Sequence, residues 1–160
     1  MNLVYLLTGS NLGNRVENLN KAAQLITDKG GLLKAHSKFY QTSPWGPLAQ
    51  PDYLNQALAV ETTLNAPAFM EQLLQIEENM GRVRSIKYGP RIIDIDILFF
   101  GQEVIQTPLV QVPHPEVRNR RFALTPLAEI ASSFVDPLTG NSISQLLATC
   151  QDQGTVLQFN

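Results

Sequence analysis

Residues 89–98 read GPRIIDIDIL. Ile93, Ile95 and Ile97 alternate with Asp94, Asp96 and Leu98, the period-2 pattern of a strand with isoleucines on one face and both carboxylates on the other. Asp is disfavoured in strands and costly to bury alone, so something cationic is expected against this face, whether Arg, Lys or a metal ion. The strand, expected over 92–100, closes a series of elements whose order decides the fold.

The series opens with MNLVYLL, a strand near 3–8 that runs into the turn TGSNLGNR. Asn14 and Glu17 have the spacing of a capping box at the head of a helix over 15–28. Residues 33–42 and Tyr53–Thr62 alternate as strands, the second with Leu54, Leu58 and Val60 on one face. A helix starting near Pro67 and ending at Gly81 sets Phe69, Leu73, Ile76 and Met80 at core-facing spacing. The order β-α-β-β-α-β predicts an α+β fold, a ferredoxin-like antiparallel sheet with both helices on one face. Short helices near 125–134 and 142–150 add a C-terminal helical extension.

Composition narrows the function. With 160 residues, 44% of them apolar, the chain is expected to form a single domain over 1–160. A net charge of -2 argues against nucleic acid or an acidic membrane as partner. The lone Cys150 excludes an internal disulfide, and one cysteine with two histidines cannot make an ordinary structural zinc site. The N-terminal segment lacks a basic leader and no stretch is apolar for long enough to span a membrane, so a cytoplasmic location is expected. Six of the seven arginines fall between residues 82 and 121, a local concentration suited to an anion.

Two long loops flank this region, TSPWGPLAQPD and GRVRSIKYGPR. Carboxylates at i and i+2 of a strand have Cα atoms about 6.5–7 Å apart and can share a hard cation. Magnesium needs only one or two carboxylates together with phosphate oxygens, and Arg82, Arg84 and Arg91 would place guanidinium groups near such phosphates. The glycine turn matches neither GxxxxGK[ST] nor GxGxxG and reads as a strand-to-helix connection. His114, set between two prolines, suits a hydrogen-bond donor to phosphate better than a general base. Trp45, Tyr53 and Phe122 are candidates to stack on a flat heterocycle, with Asn55 bonding its edge. The alternatives are a structural salt bridge, against which two acids on one face shift the balance towards nucleotide chemistry, a ferredoxin-like regulatory or ligand-binding module, which would not need the Asp pair beside six arginines, and a kinase moving a γ-phosphoryl group, which spacing alone does not separate from other nucleotide chemistry.

The strings GSNLGNR, FYQTSPWG with QPDYLN, ENMGRVR, YGPRIIDIDILFFG and VPHPEVRNRRF occur here in order and spacing. Together, over roughly residues 1–135, the chain resembles the 6-hydroxymethyl-7,8-dihydropterin pyrophosphokinase family of folate biosynthesis. The resemblance implies transfer of the diphosphoryl group of ATP to the pterin hydroxymethyl group, with release of AMP. It implies that Asp94 and Asp96 hold two magnesium ions and that Arg82 and Arg91 are mobile-loop catalytic residues. Glu77, Arg84, His114 and Arg120 match ATP-contacting positions, Tyr88 is expected to join them in binding the nucleotide, and Thr42, Trp45, Tyr53, Asn55 and Phe122 match the pterin pocket. ATP and the pterin are the expected partners, and the enzyme is expected to be a monomer. Two positions depart from the family pattern. Leu74 stands where a nucleotide-contacting Gln can occur and cannot hydrogen-bond adenine, whereas Tyr88 replaces a loop Trp and can still stack.

Overall fold

The first strand, β1 (Asn2–Ser10), is buried from Val4 onward because other strands pair with it on both sides and apolar layers cover both its faces. The computed structural model describes residues 1–44, 46–82 and 89–160. Helix α1 (Arg15–Asp28) starts where expected, and Asn14 accepts the Glu17 N–H at 3.1 Å. That cap runs one way. The reciprocal capping box occurs instead at Ser142 and Gln145, which the sequence reading passed over.

The strand expected over 33–42 is two, β2 (Gly31–His36) and β3 (Phe39–Thr42). Ser37 causes the break: its hydroxyl accepts the Ala57 N–H at 2.9 Å, the place a ladder carbonyl would take, and the edge bulges there. Strand β4 (Tyr53–Thr62) stays straight and pairs with β1 in unbroken register from Asn2–Thr62 to Ser10–Leu54. Helix α2 (Ala66–Asn79) is capped by Asn65, with Pro67 in its first turn, where a missing N–H costs nothing. Strand β5 (Asp94–Phe100) then pairs with the outer side of β1. The sheet order is β5-β1-β4-β3, with β2 alongside β4, and every pair is antiparallel. That is the order a split βαβ arrangement produces.

One face of this sheet is covered by α1 and α2, whose Leu19, Ile26, Phe69, Leu73 and Ile76 pack on Val4, Leu6, Leu58, Ile95 and Ile97. The opposite face is covered by the extension. Helices α3 (Arg121–Ala131) and α4 (Ile143–Ala148) set Leu124, Leu127, Ile143 and Leu146 against Tyr5, Leu7, Ala57 and Phe99. Helix α3 begins four residues before the expected 125, because the Arg121 N–H is capped by the Asp152 carboxylate and Pro126 is accommodated within the helix.

Three further strands have no counterpart in the sequence reading. The hairpin β6 (Ile105–Gln106) and β7 (Gln111–Val112) stands apart, and β8 (Val156–Phe159) joins the free side of β3. Among the described residues, no helix is long and apolar enough to cross a membrane.

Candidate active site

The face covered by α3 and α4 continues past the start of α3 as open sheet, and polar residues replace apolar ones there. Along β1 the inward series Tyr5 and Leu7 ends in Gly9. Gly9 lies in register between Asn55 of β4 on one side and Asp94 of β5 on the other. This floor, the Thr42–Ser43 end of β3, Arg91, His114, and Arg120 and Phe122 at the head of α3 enclose a cavity of about 240 Å³. Its two ends differ in chemistry.

At the charged end, Asp94 and Asp96 project from β5 into the cavity, as the alternation of GPRIIDIDIL requires. Asp94 receives Arg82 Nη1 at 3.2 Å and Arg91 Nη1 at 3.4 Å. Asp96 sits deeper. Burial, followed by the charge of Asp94 and then Glu77, pushes its carboxyl up to about 8, against the opposing pull of Arg120 and Arg82.

His114 also faces the cavity, and its backbone N–H is anchored to the Leu98 carbonyl at 2.9 Å. The Glu116 N–H donates to its Nδ1 at 3.0 Å, which leaves Nε2 to carry the proton. Burial and the adjacent Arg120 hold its pKa down at about 4, so the ring is a neutral Nε2–H donor near neutral pH.

At the other end, Asn55 is buried and donates from Nδ2 to Thr42 Oγ1 at 2.7 Å. Tyr53 and Phe122 supply aromatic surface, with the Arg120 guanidinium 5.6 Å from the Phe122 ring centroid. Burial raises the Tyr53 hydroxyl above its ordinary value. Gly9 keeps this end open, because a Cβ there would stand 2.5 Å from Asn55 Oδ1.

Nine of the fourteen residues singled out in the sequence therefore meet in one cavity: Thr42, Tyr53, Asn55, Arg91, Asp94, Asp96, His114, Arg120 and Phe122. Glu77 and Arg82 stand behind it. Glu77 is buried, and its Oε2 accepts the Ile95 N–H of the outer edge of β5 at 2.7 Å and Arg82 Nη1 at 2.7 Å. Burial outweighs that pairing and raises the Glu77 carboxyl. Trp45, Arg84 and Tyr88 lie outside the described residues. Leu74 is half-buried on α2.

Sequence reasoning missed Leu7, Gly9 and Ser43 as cavity lining, and it missed Asn11 as a fastener. Asn11 is buried where β1 ends. Its Oδ1 accepts the Arg91 N–H at 2.8 Å, its own N–H donates to the Arg91 carbonyl, and its Nδ2 reaches Gln50 Oε1 and the Pro51 carbonyl. One side chain thus ties both long loops to β1. In the sequence it reads as one more turn-forming Asn, and only the three simultaneous partners reveal the role.

Comparison with known proteins places this geometry. Residues 5–132 match the 7,8-dihydro-6-hydroxymethylpterin-pyrophosphokinase (HPPK) family. The chain is 41% identical over 134 residues to a 2-amino-4-hydroxy-6-hydroxymethyldihydropteridine pyrophosphokinase of Haemophilus influenzae, covering 83% of this chain and 84% of that one. It is 39% identical over 140 residues to the protein of that name in Synechocystis, covering 87% and 71%. Among solved structures, an HPPK-DHPS protein in complex with substrates superposes with a TM-score of 0.74 at 15% identity, covering 92% of this chain. This chain spans only 43% of that longer protein, so the likeness speaks for the fold alone. The family match over most of the chain and the close relatives agree: the chain belongs to the 7,8-dihydro-6-hydroxymethylpterin-pyrophosphokinase family.

Proposed function

We propose that residues 1–160 form a single pyrophosphokinase domain that moves the diphosphoryl group of ATP onto the hydroxymethyl group of 6-hydroxymethyl-7,8-dihydropterin, giving AMP and the pterin diphosphate for folate biosynthesis. The observation that carries this reading is the two-ended cavity, with carboxylates, arginines and a neutral histidine at one end and an amide with two aromatic side chains at the other. Monomeric action in the cytoplasm is part of the same proposal, as is the absence of nucleic acid and membrane partners, which the net charge of -2 supports.

Magnesium fits the charged end. Among the described residues no three ligating side chains cluster, but two carboxylates share the cavity, and burial together with the charge of Asp94 raises the Asp96 carboxyl, an arrangement that a bound cation would relieve. Such a pair suits an ion that keeps water and phosphate oxygens as its other ligands. Asp94 and Asp96 would hold it, and bound there it would screen phosphate charge and align the groups that react.

The chain's own groups do the rest. Arg91 and Arg120 meet the phosphate oxygens with guanidinium donors, and His114 adds its Nε2–H. Asn55 and Thr42 bond the edge of the heterocycle while Tyr53 and Phe122 cover its faces, which orients the hydroxymethyl oxygen towards the β-phosphorus. That oxygen gains the bond to phosphorus, the bond from phosphorus to the AMP oxygen breaks, and the hydroxyl proton is released.

Incubation with ATP, magnesium and the pterin alcohol, followed by chromatography of the nucleotides, is expected to give AMP in step with pterin diphosphate. ADP with a pterin monophosphate would reject the assignment. The pterin end is checked separately with Gly9→Ala and Asn55→Ala, one pressing on the amide and the other removing it. Fluorescence titration should show pterin binding weakened about 10- to 100-fold in each, with ATP binding within about twofold of the parent. Equal weakening of both ligands would place Asn55 outside the pterin site.

A further inference from the structure

Two walls of the pterin end are joined by a segment that does not itself line the cavity. After α4 the chain passes Cys150, crosses the head of α3 and continues into β8, which pairs with β3 so that Thr42 faces Val156. Asp152 occupies the crossing. Its Oδ2 accepts the Arg121 N–H at 2.9 Å and its Oδ1 accepts the Gly154 N–H at 2.9 Å. Arg121 returns two bonds, from Nε to the Asp152 carbonyl at 3.0 Å and from Nη2 to the Cys150 carbonyl at 2.9 Å. Immediately beyond, the Ser43 N–H donates to the Thr155 carbonyl at 3.1 Å, and the Thr155 N–H donates to Ser43 Oγ at 3.1 Å. A small void of about 80 Å³ bounded in part by Ser43, Phe122, Asp152 and Gly154 marks the junction.

We propose that Asp152 is a positioning residue for the pterin site: its carboxylate, bonded to Arg121 and Gly154, fixes the width of the slot between Phe122 and the Thr42–Ser43 end of β3. This rests on the functional reading above. A carboxylate is needed because both groups it meets are N–H donors, so an acceptor must face each. An amide of the same shape would turn an NH₂ group towards one of them. Arg120 depends on the clamp less than Phe122 does, because its N–H is held by the Val117 carbonyl of the preceding turn. A disturbed clamp should therefore loosen the pterin end and spare the phosphate end.

The test compares wild type, Asp152→Asn and Gly154→Ala. A Cβ at Gly154 would stand 3.2 Å from both Asp152 Oδ1 and Ser43 Oγ, so it wedges the same junction gently. Pterin affinity is read by fluorescence titration, nucleotide affinity with a non-hydrolysable ATP analogue, and turnover at steady state. Asp152→Asn is expected to raise the pterin Kd and KM about tenfold, with kcat and analogue affinity within about twofold; Gly154→Ala shifts the pterin values the same way by less. Unchanged pterin affinity in a folded variant, or equal weakening of both ligands, would overturn the clamp while leaving the functional reading intact. If Asp152→Asn does not fold, Gly154→Ala decides by the same criteria. Failure of the wild type to bind the pterin would overturn the functional reading and the clamp with it.

Discussion

Asp96→Asn is expected to reduce turnover by orders of magnitude while leaving the ligand-free protein at least as stable as the wild type. Burial and the neighbouring Asp94 push the Asp96 carboxyl up to about 8, so near neutral pH it is mostly protonated and an amide is a close substitute. What the amide cannot do is release a proton and ligate magnesium, and phosphate alignment suffers accordingly. The sign of the pH dependence follows. Between the ordinary Asp value of about 4 and about 8, the folded protein holds a proton that the unfolded chain has released, so this group's contribution to stability is lost as pH rises through that window. Melting curves from about pH 6 to about pH 9 should fall more steeply for the wild type than for Asp96→Asn. If Asp96 instead serves as a structural partner for the arginines, the variant strands a buried cation and loses about 3–5 kcal/mol. A large loss of Tm with near-normal turnover would reject the metal role.

Arg82→Ala and Arg91→Ala should fail in different ways, although both contact Asp94. The Arg82 side chain is 8% exposed and bridges Glu77, 3% exposed, to Asp94. Its removal leaves the Glu77 carboxylate buried without that partner and is expected to cost about 3 kcal/mol, or roughly 6–12 °C in Tm. The loss should deepen at higher pH, because Glu77 escapes part of it by holding a proton. Adding Glu77→Gln to Arg82→Ala should recover much of the Tm, since the uncompensated charge is then gone. Arg91 is about three times as exposed, at 24%, and its ion pair is longer, at 3.4 Å. Arg91→Ala should cost at most about 1 kcal/mol and instead depress kcat, with the Kd values of ATP and pterin changed only modestly. Equal melting losses for the two single variants would contradict this division.

The difference between these arginines shows where the sequence was informative. Alternation in IIDIDIL settled which way the carboxylates point, because face periodicity is a property of the strand itself. The helix expected from near Pro67 to Gly81, found at Ala66–Asn79, was legible from the same kind of periodicity, and that over 15–28 from the local signal of its Asn14 cap. Features that depend on distant partners were not. Ser37 splits an edge strand through a bond to Ala57, Asn11 fastens two loops, and Glu77 serves the free edge of β5, none of which leaves a local pattern. Arg82 resembles a loop cation in sequence, yet in the fold it is enclosed with Glu77. Strand β8 was invisible because four partly exposed residues acquire strand character only by joining β3.

The central claim is that the pterin hydroxymethyl oxygen attacks the β-phosphorus of ATP inside the two-ended cavity. Pterin alcohol carrying ¹⁸O in its hydroxymethyl group, turned over with ATP and magnesium, tests it by mass spectrometry of both products. The expected result is the full label in the pterin diphosphate and none in AMP. Label in AMP, label lost from the pterin product, or a labelled pterin monophosphate would contradict it.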